Sequence, residues 1–84
     1  MADRPLTYRN LFRILRTYGV FEESNRGKGS ERMLMRIVDG HPLRIPTRCH
    51  NEGDEKPRAV IRSIRRRLKL TEADGVTDRE FYSR

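Results

Sequence analysis

Apolar residues recur along this chain with two different periods, and the switch between them divides it into elements. Over residues 8–18 the period is helical: Tyr8, Leu11, Phe12, Ile14, Leu15 and Tyr18 share one side, and Arg9, Arg13 and Arg16 share the other. Thr7 is placed to cap this helix and Gly19 to stop it. Residues 20–25 read as a short strand, and residues 26–30 (RGKGS) as a glycine-rich turn. Over residues 31–38 the period becomes two, with Met33, Met35 and Ile37 on one face and Arg32, Leu34 and Arg36 on the other, as in a half-buried strand.

Asp39-Gly40 signals a hairpin. A two-residue turn would pair Ile37 with Pro42 and set Leu43 and Ile45 on the face opposite the methionines. A three-residue loop, with Gly40 left-handed at a bulge, instead pairs Ile37 with His41, Met35 with Leu43 and Met33 with Ile45. That register gathers the apolar residues on one side, and it is the predicted one. Pro46 is expected to end this strand, with residues 47–56 as a polar crossing loop and Pro57 opening a second helix.

The second helix, residues 57–69 (PRAVIRSIRRRLK), changes the picture from fold to chemistry. Wound at about 100° per residue, it gathers Val60, Ile61, Ile64 and Leu68 on a core side and Arg58, Arg62, Arg65, Arg66 and Lys69 on the opposite side. The segment contains no acid, in a chain of 84 residues and net charge +7. Concentrating cations on one flank costs self-repulsion, and a polyanion, above all a nucleic acid, is the partner that offsets it. A solvated basic face is the plainer alternative. Beyond this helix, residues 71–76 read as loop. Thr77 to Glu80 have capping-box spacing for one more helical turn, which must dock or fray.

Composition narrows the possibilities. Eighty-four residues, 35% of them hydrophobic, make one small domain (1–84) with a modest core, and residues 1–5 and 71–84 are expected to be loosely ordered. A single cysteine, Cys49, excludes an intramolecular disulfide and a cysteine zinc site, in keeping with a reducing compartment. No apolar run approaches the roughly 20 residues of a membrane span, and the first residues lack the pattern of a secretory signal; Asp3 and Pro5 argue against a mitochondrial transit peptide. A cytoplasmic location is expected, with no membrane partner. His41 and His50 have no metal-ligand spacing, and Glu52, Asp54 and Glu55 form only a loose group of oxygens, so neither a metal nor another cofactor is expected. The segment Gly27-Lys28-Gly29-Ser30 lacks the full spacing of a phosphate loop and leads into a strand, where no helix dipole awaits an anion.

In order and spacing the chain resembles the HicA family of small toxins from bacterial and archaeal toxin and antitoxin pairs. The likeness runs nearly end to end: the helix closing on Gly19, Phe21, the spacing Arg26-x-x-Gly29-Ser30, the Asp39-Gly40 turn, Ile45-Pro46, His50, the basic helix through Val60-Ile61-Arg62-Ser63-Ile64, and an acidic, aromatic tail at residues 77–81. The resemblance implies an α+β fold like that of double-stranded RNA binding domains: helix, three-stranded antiparallel sheet, helix, with both helices on one sheet face. It further implies a metal-independent ribonuclease acting on messenger RNA and an antitoxin protein as partner. Lys28, Arg58, Arg62, Arg65, Arg66 and Lys69 would then grip the phosphate backbone, largely by charge and with a steep salt dependence.

One departure bears on catalysis. The family carries a histidine after Gly-Ser, and this chain has Glu31 there. Cleavage through the 2′-hydroxyl needs a base and an acid, and imidazole serves as both near neutrality. A solvent-facing glutamate is ionised at neutral pH; it accepts a proton but donates poorly, and it repels phosphate. Losing that one group would cost on the order of 10²–10⁴ in rate. Two readings follow: an RNA-binding domain, active or inactivated at Glu31, or an interaction module whose basic helix docks on an acidic protein.

Overall fold

The computed structural model describes residues 3–23 and 31–84. The chain forms β1 (Leu6–Thr7), α1 (Tyr8–Arg16), β2 (Phe21–Glu23), β3 (Glu31–Val38), β4 (His41–Arg48), β5 (Glu55–Lys56), α2 (Arg58–Arg67), a 3-10 turn (Glu72–Asp74) and α3 (Asp78–Tyr82). Strands β2, β3 and β4 make a three-stranded antiparallel sheet in that spatial order, and β1 pairs with β5 in a separate two-stranded ribbon. The result is a small α+β domain. The 26–30 turn and Lys28 lie outside the described residues.

Helix α1 begins and ends as its sequence dictates. The Thr7 hydroxyl accepts from the Asn10 N–H at 3.2 Å. Gly19, at φ 86°, closes the helix while the Val20 N–H reaches back to the Leu15 carbonyl. Tyr8, Leu11, Ile14 and Leu15 are buried from this helix, and Ile61, Ile64 and Leu68 from α2 and its C-terminus. Leu34 closes the same core from the sheet, with Leu43 and Ile45 packed against it.

The hairpin corrects the expected register. Val38 pairs with His41, Ile37 with Pro42, Met35 with Arg44 and Leu34 with Ile45, across a two-residue turn in which Asp39 and Gly40 both have positive φ. This is the turn whose twist matches that of the flanking strands. Leu34, Leu43 and Ile45 therefore face the helices, while Phe21, Met33, Met35 and Ile37 lie on the outer face. Phe21 and Ile37 are 43% and 58% exposed. The apolar residues of β3 thus serve two faces rather than the one expected from their alternation.

Nor does Pro46 end the strand, since β4 runs on to Arg48. It is an edge strand, and counting from the turn puts Pro42 and Pro46 at positions whose backbone points away from β3, where a missing N–H costs no ladder bond. The outward carbonyls of Arg44 and Arg48 accept from Arg67 (Nε, 3.0 Å) and from the Lys56 ammonium respectively.

The expected crossing loop contributes β5, and the expected 71–76 loop contributes the 3-10 turn, where the Asp74 carboxylate accepts from the Thr71 N–H at 3.1 Å and hydroxyl at 2.8 Å. The last helical turn docks: the Thr77 hydroxyl caps it at the Glu80 N–H (3.0 Å), and Phe81 and Tyr82 are buried. At the other end of the chain the Tyr82 hydroxyl donates to Asp3 at 3.2 Å, and the Arg4 guanidinium lies 4.9 Å from the centre of the Tyr82 ring.

Candidate nucleic-acid interface

Around its axis, α2 presents three different flanks. The buried stripe is Ile61, Ile64 and Arg65, continued by Leu68, at the i, i+3, i+4, i+7 spacing of a core-facing helix. Arg58, Arg62 and Arg66 follow at four-residue steps, span about 80° of arc, and are exposed. Ala59, Val60, Ser63 and Arg67 form the flank beside β4. Val60, expected in the core, is 38% exposed at the border of this flank.

Arg65 is the principal correction among the expected site residues. It is only 4% exposed, and its guanidinium lies 4.6 Å from the centre of the Phe81 ring. Nε donates to the Leu70 carbonyl at 2.9 Å, Nη2 to the Val76 carbonyl at 3.0 Å and Nη1 to the Asp78 carboxylate at 2.6 Å. All three donor nitrogens are engaged, so Arg65 holds the C-terminal segment on α2 and presents no cation to a ligand. Helical phase alone sets it about 20° from Arg58. It is the docking of residues 70–82 that covers it.

The remaining expected cations on the helix stay outward. The side chains of Arg58, Arg66 and Lys69 make neither a hydrogen bond nor an ion pair with any described residue. Arg62 is held by Asp3, whose carboxyl is pulled below its ordinary range first by that hydrogen bond and also by the nearby charge of Arg62. The N-terminus of α2 has Pro57 as its cap residue, no side-chain capping bond and no acid in its first turn, so its dipole adds to the positive field of Arg58.

Lys69 ends the helix in an unusual conformation. Its φ is 58°, the left-handed region that favours glycine, and the Leu70 N–H returns to the Arg65 carbonyl at 2.7 Å. Arg36, expected to face solvent, instead lies on the inner sheet face. It donates to the Leu68 and Lys69 carbonyls at 2.7 and 3.1 Å and, from Nε, to the Tyr18 carbonyl at 3.1 Å. One arginine from the sheet therefore ties off the C-terminal ends of both long helices, a role that strand alternation alone did not disclose.

Glu31 opens β3 and is exposed, with Arg48 as its partner across the ladder. Arg48 in turn borders the α2 flank at Lys56, Ala59 and Val60. His41 and His50 are exposed, at the hairpin end and just after β4, and Cys49 between β4 and His50 is buried. A second polar cluster pins the start of α1. The Tyr8 hydroxyl donates to Glu22 at 2.6 Å, and Arg32 bonds Glu22 at 3.2 Å and Glu52 at 3.5 Å. Burial, reinforced by the Glu22 bond, pushes the Tyr8 phenol well up, so it stays a neutral donor.

Among the described residues no three of His, Cys, Asp and Glu gather as a metal site, and no helix is long and apolar enough to cross a membrane. Set against family models, curated proteins and solved structures, the chain finds no match in any of the three.

Proposed function

We propose that this domain binds structured RNA through the exposed stripe Arg58, Arg62, Arg66 and Lys69, in the manner the HicA resemblance implies. The observation that carries the reading is the stripe itself: four outward cations on one helix and its C-terminus, with no acid within the helix and only Arg62 paired, to Asp3. The order helix, three strands, helix, with the core on one sheet face, agrees with a fold like that of double-stranded RNA binding domains. Such domains grip phosphates and 2′-hydroxyls across grooves with little regard to sequence. The strained backbone of Lys69 fits the same role, because a cation is kept where glycine would sit without cost.

Glu31 favours a domain that binds without cutting. It is exposed at the head of β3, and the described histidines His41 and His50 have no carboxylate orienting them. A labelled hairpin RNA incubated with the protein in chelator tests both statements. Retardation of the intact RNA is expected. Time-dependent fragments that disappear in Glu31→Ala would make it an enzyme, and absence of retardation at low salt would refute RNA binding.

A further inference from the structure

Two grooves that share Ile45 and Ser63 lie along the seam between α2 and the edge strand β4. Beside the N-terminal half of the helix one is lined by Ile45, Pro46, Ala59, Val60 and Ile64, with a volume of about 400 Å³. Beside the C-terminal half the other lies over Ile45 and Ser63, with a volume of about 470 Å³. Lys56 stands at one end beside the Arg48 backbone, and Arg66, Arg67 and Lys69 stand at the other. No acid lines either stretch. Val60 is, with Phe21 and Ile37, one of the exposed large apolar side chains among the described residues.

We propose that this paired groove docks an amphipathic acidic segment of another protein, with apolar side chains on the aliphatic floor and carboxylates at the two cationic ends. This goes beyond the RNA reading: the apolar floor lies on a different flank of α2, and only Arg66 and Lys69 at one end are shared with the RNA stripe. Charge complementarity selects the occupant: an acid-free groove with four cations at its ends, on a chain of net charge +7, repels a second copy of itself.

The lining then discriminates between two kinds of acidic ligand. Single-stranded nucleic acid is held on aromatic platforms, and no aromatic residue lines either stretch. Branched aliphatic side chains and proline suit leucine or phenylalanine side chains instead. Strand addition is blocked as well. Pro42 and Pro46 lack the N–H groups an added strand would need, and Arg67 and Lys56 occupy the outward carbonyls of Arg44 and Arg48. What remains is a helix laid in the groove with its apolar residues at i, i+3, i+4 and i+7. The ten-residue α2 offers about 15 Å of wall, or roughly three turns of such a partner. The outer sheet face is also apolar, but its Glu23, Glu31, Arg44 and Arg48 carry no net charge that would select a partner.

The test uses the full chain, isotopically labelled, titrated with a helical peptide of about fifteen residues whose leucines follow that spacing and whose ends carry glutamates. Two further probes are a peptide of the same composition with scrambled leucines and a single-stranded oligonucleotide. Amide shifts at Ile45, Thr47, Ala59, Val60 and Ser63 are expected with the patterned peptide, at least tenfold tighter than with the scrambled one. Val60→Glu, at an exposed position, should weaken binding at least tenfold without altering the thermal midpoint by more than a few degrees. Should Val60→Glu fail to fold, Ser63→Glu at the exposed junction of the two stretches serves instead. Equal binding of both peptides would reduce the effect to bulk charge and overturn the proposal. So would shifts at these amides that only the oligonucleotide produces.

Discussion

Arg65 and Arg66 are neighbours in sequence and belong to different parts of the molecule. The guanidinium of Arg65 is enclosed by Phe81, two carbonyls and Asp78, whereas that of Arg66 faces solvent without a partner among the described residues. The difference teaches that a cation on an amphipathic helix is assigned by what packs against each flank. Composition supplies the charge. The C-terminal segment decides which charge is used to hold the fold and which is left for a ligand.

The largest expected effect separates the two residues outright. Arg65→Met removes three donors and leaves the Leu70 and Val76 carbonyls unpaired inside the protein, with an expected loss of roughly 3 kcal/mol in urea unfolding. Arg66→Ala should change that stability by less than about 0.5 kcal/mol. A comparable loss from both substitutions would dissolve the distinction between the two flanks.

The comparison is sharpened at the end of the helix by Lys69→Gly. Relief of the left-handed backbone should raise stability by about 1 kcal/mol, while the slope of log affinity for hairpin RNA against log salt falls by about one. Stability and binding moving in opposite directions is the signature of a residue kept for its charge. If both rise together, Lys69 does not contact phosphate.

Asp3 provides the smallest effect. Its carboxyl is held low by Arg62, so the interaction contributes in full above the ordinary carboxylate value near 4 and fades as pH falls through the lowered value. Asp3→Asn should therefore melt slightly below the parent at pH 7 and together with it near pH 2. Its RNA affinity should hold or rise, because Arg62 is released. A pH-independent difference in melting would remove the ion pair from the account.

Much of this arrangement was legible in the sequence. Thr7, Gly19 and the 3.6 period of residues 8–18 specify α1, and the alternation over residues 31–38 matches β3. The register was not, because β3 carries apolar residues on both of its faces. In fact Leu34, Leu43 and Ile45 build the core while Met33, Met35 and Ile37 cover the outside. Pro42 and Pro46 carried the missing signal, since both need outward-facing positions on an edge strand and the two-residue turn supplies them. In the candidate site, Arg58, Arg62 and Arg66 follow from helical phase, while Lys69 lies past the end of the helix in a left-handed conformation that phase does not give. Arg65 does not follow from phase either, because its fate depends on Phe81 and Asp78, more than a dozen residues away, and no local pattern encodes that docking. Arg36 escaped for a related reason: a strand arginine reads as solvent-facing until the carbonyls of two helix ends are placed beside it.

The outward stripe is tested most directly by a salt titration of hairpin RNA binding, comparing the parent with the variant Arg58→Gln, Arg62→Gln, Arg66→Gln and Lys69→Gln combined. With four phosphate contacts the parent should show a log–log slope of about −3 to −4, and the variant a slope near zero with binding lost at moderate salt. A variant that keeps the parent's slope and affinity would place RNA contact elsewhere and contradict the account.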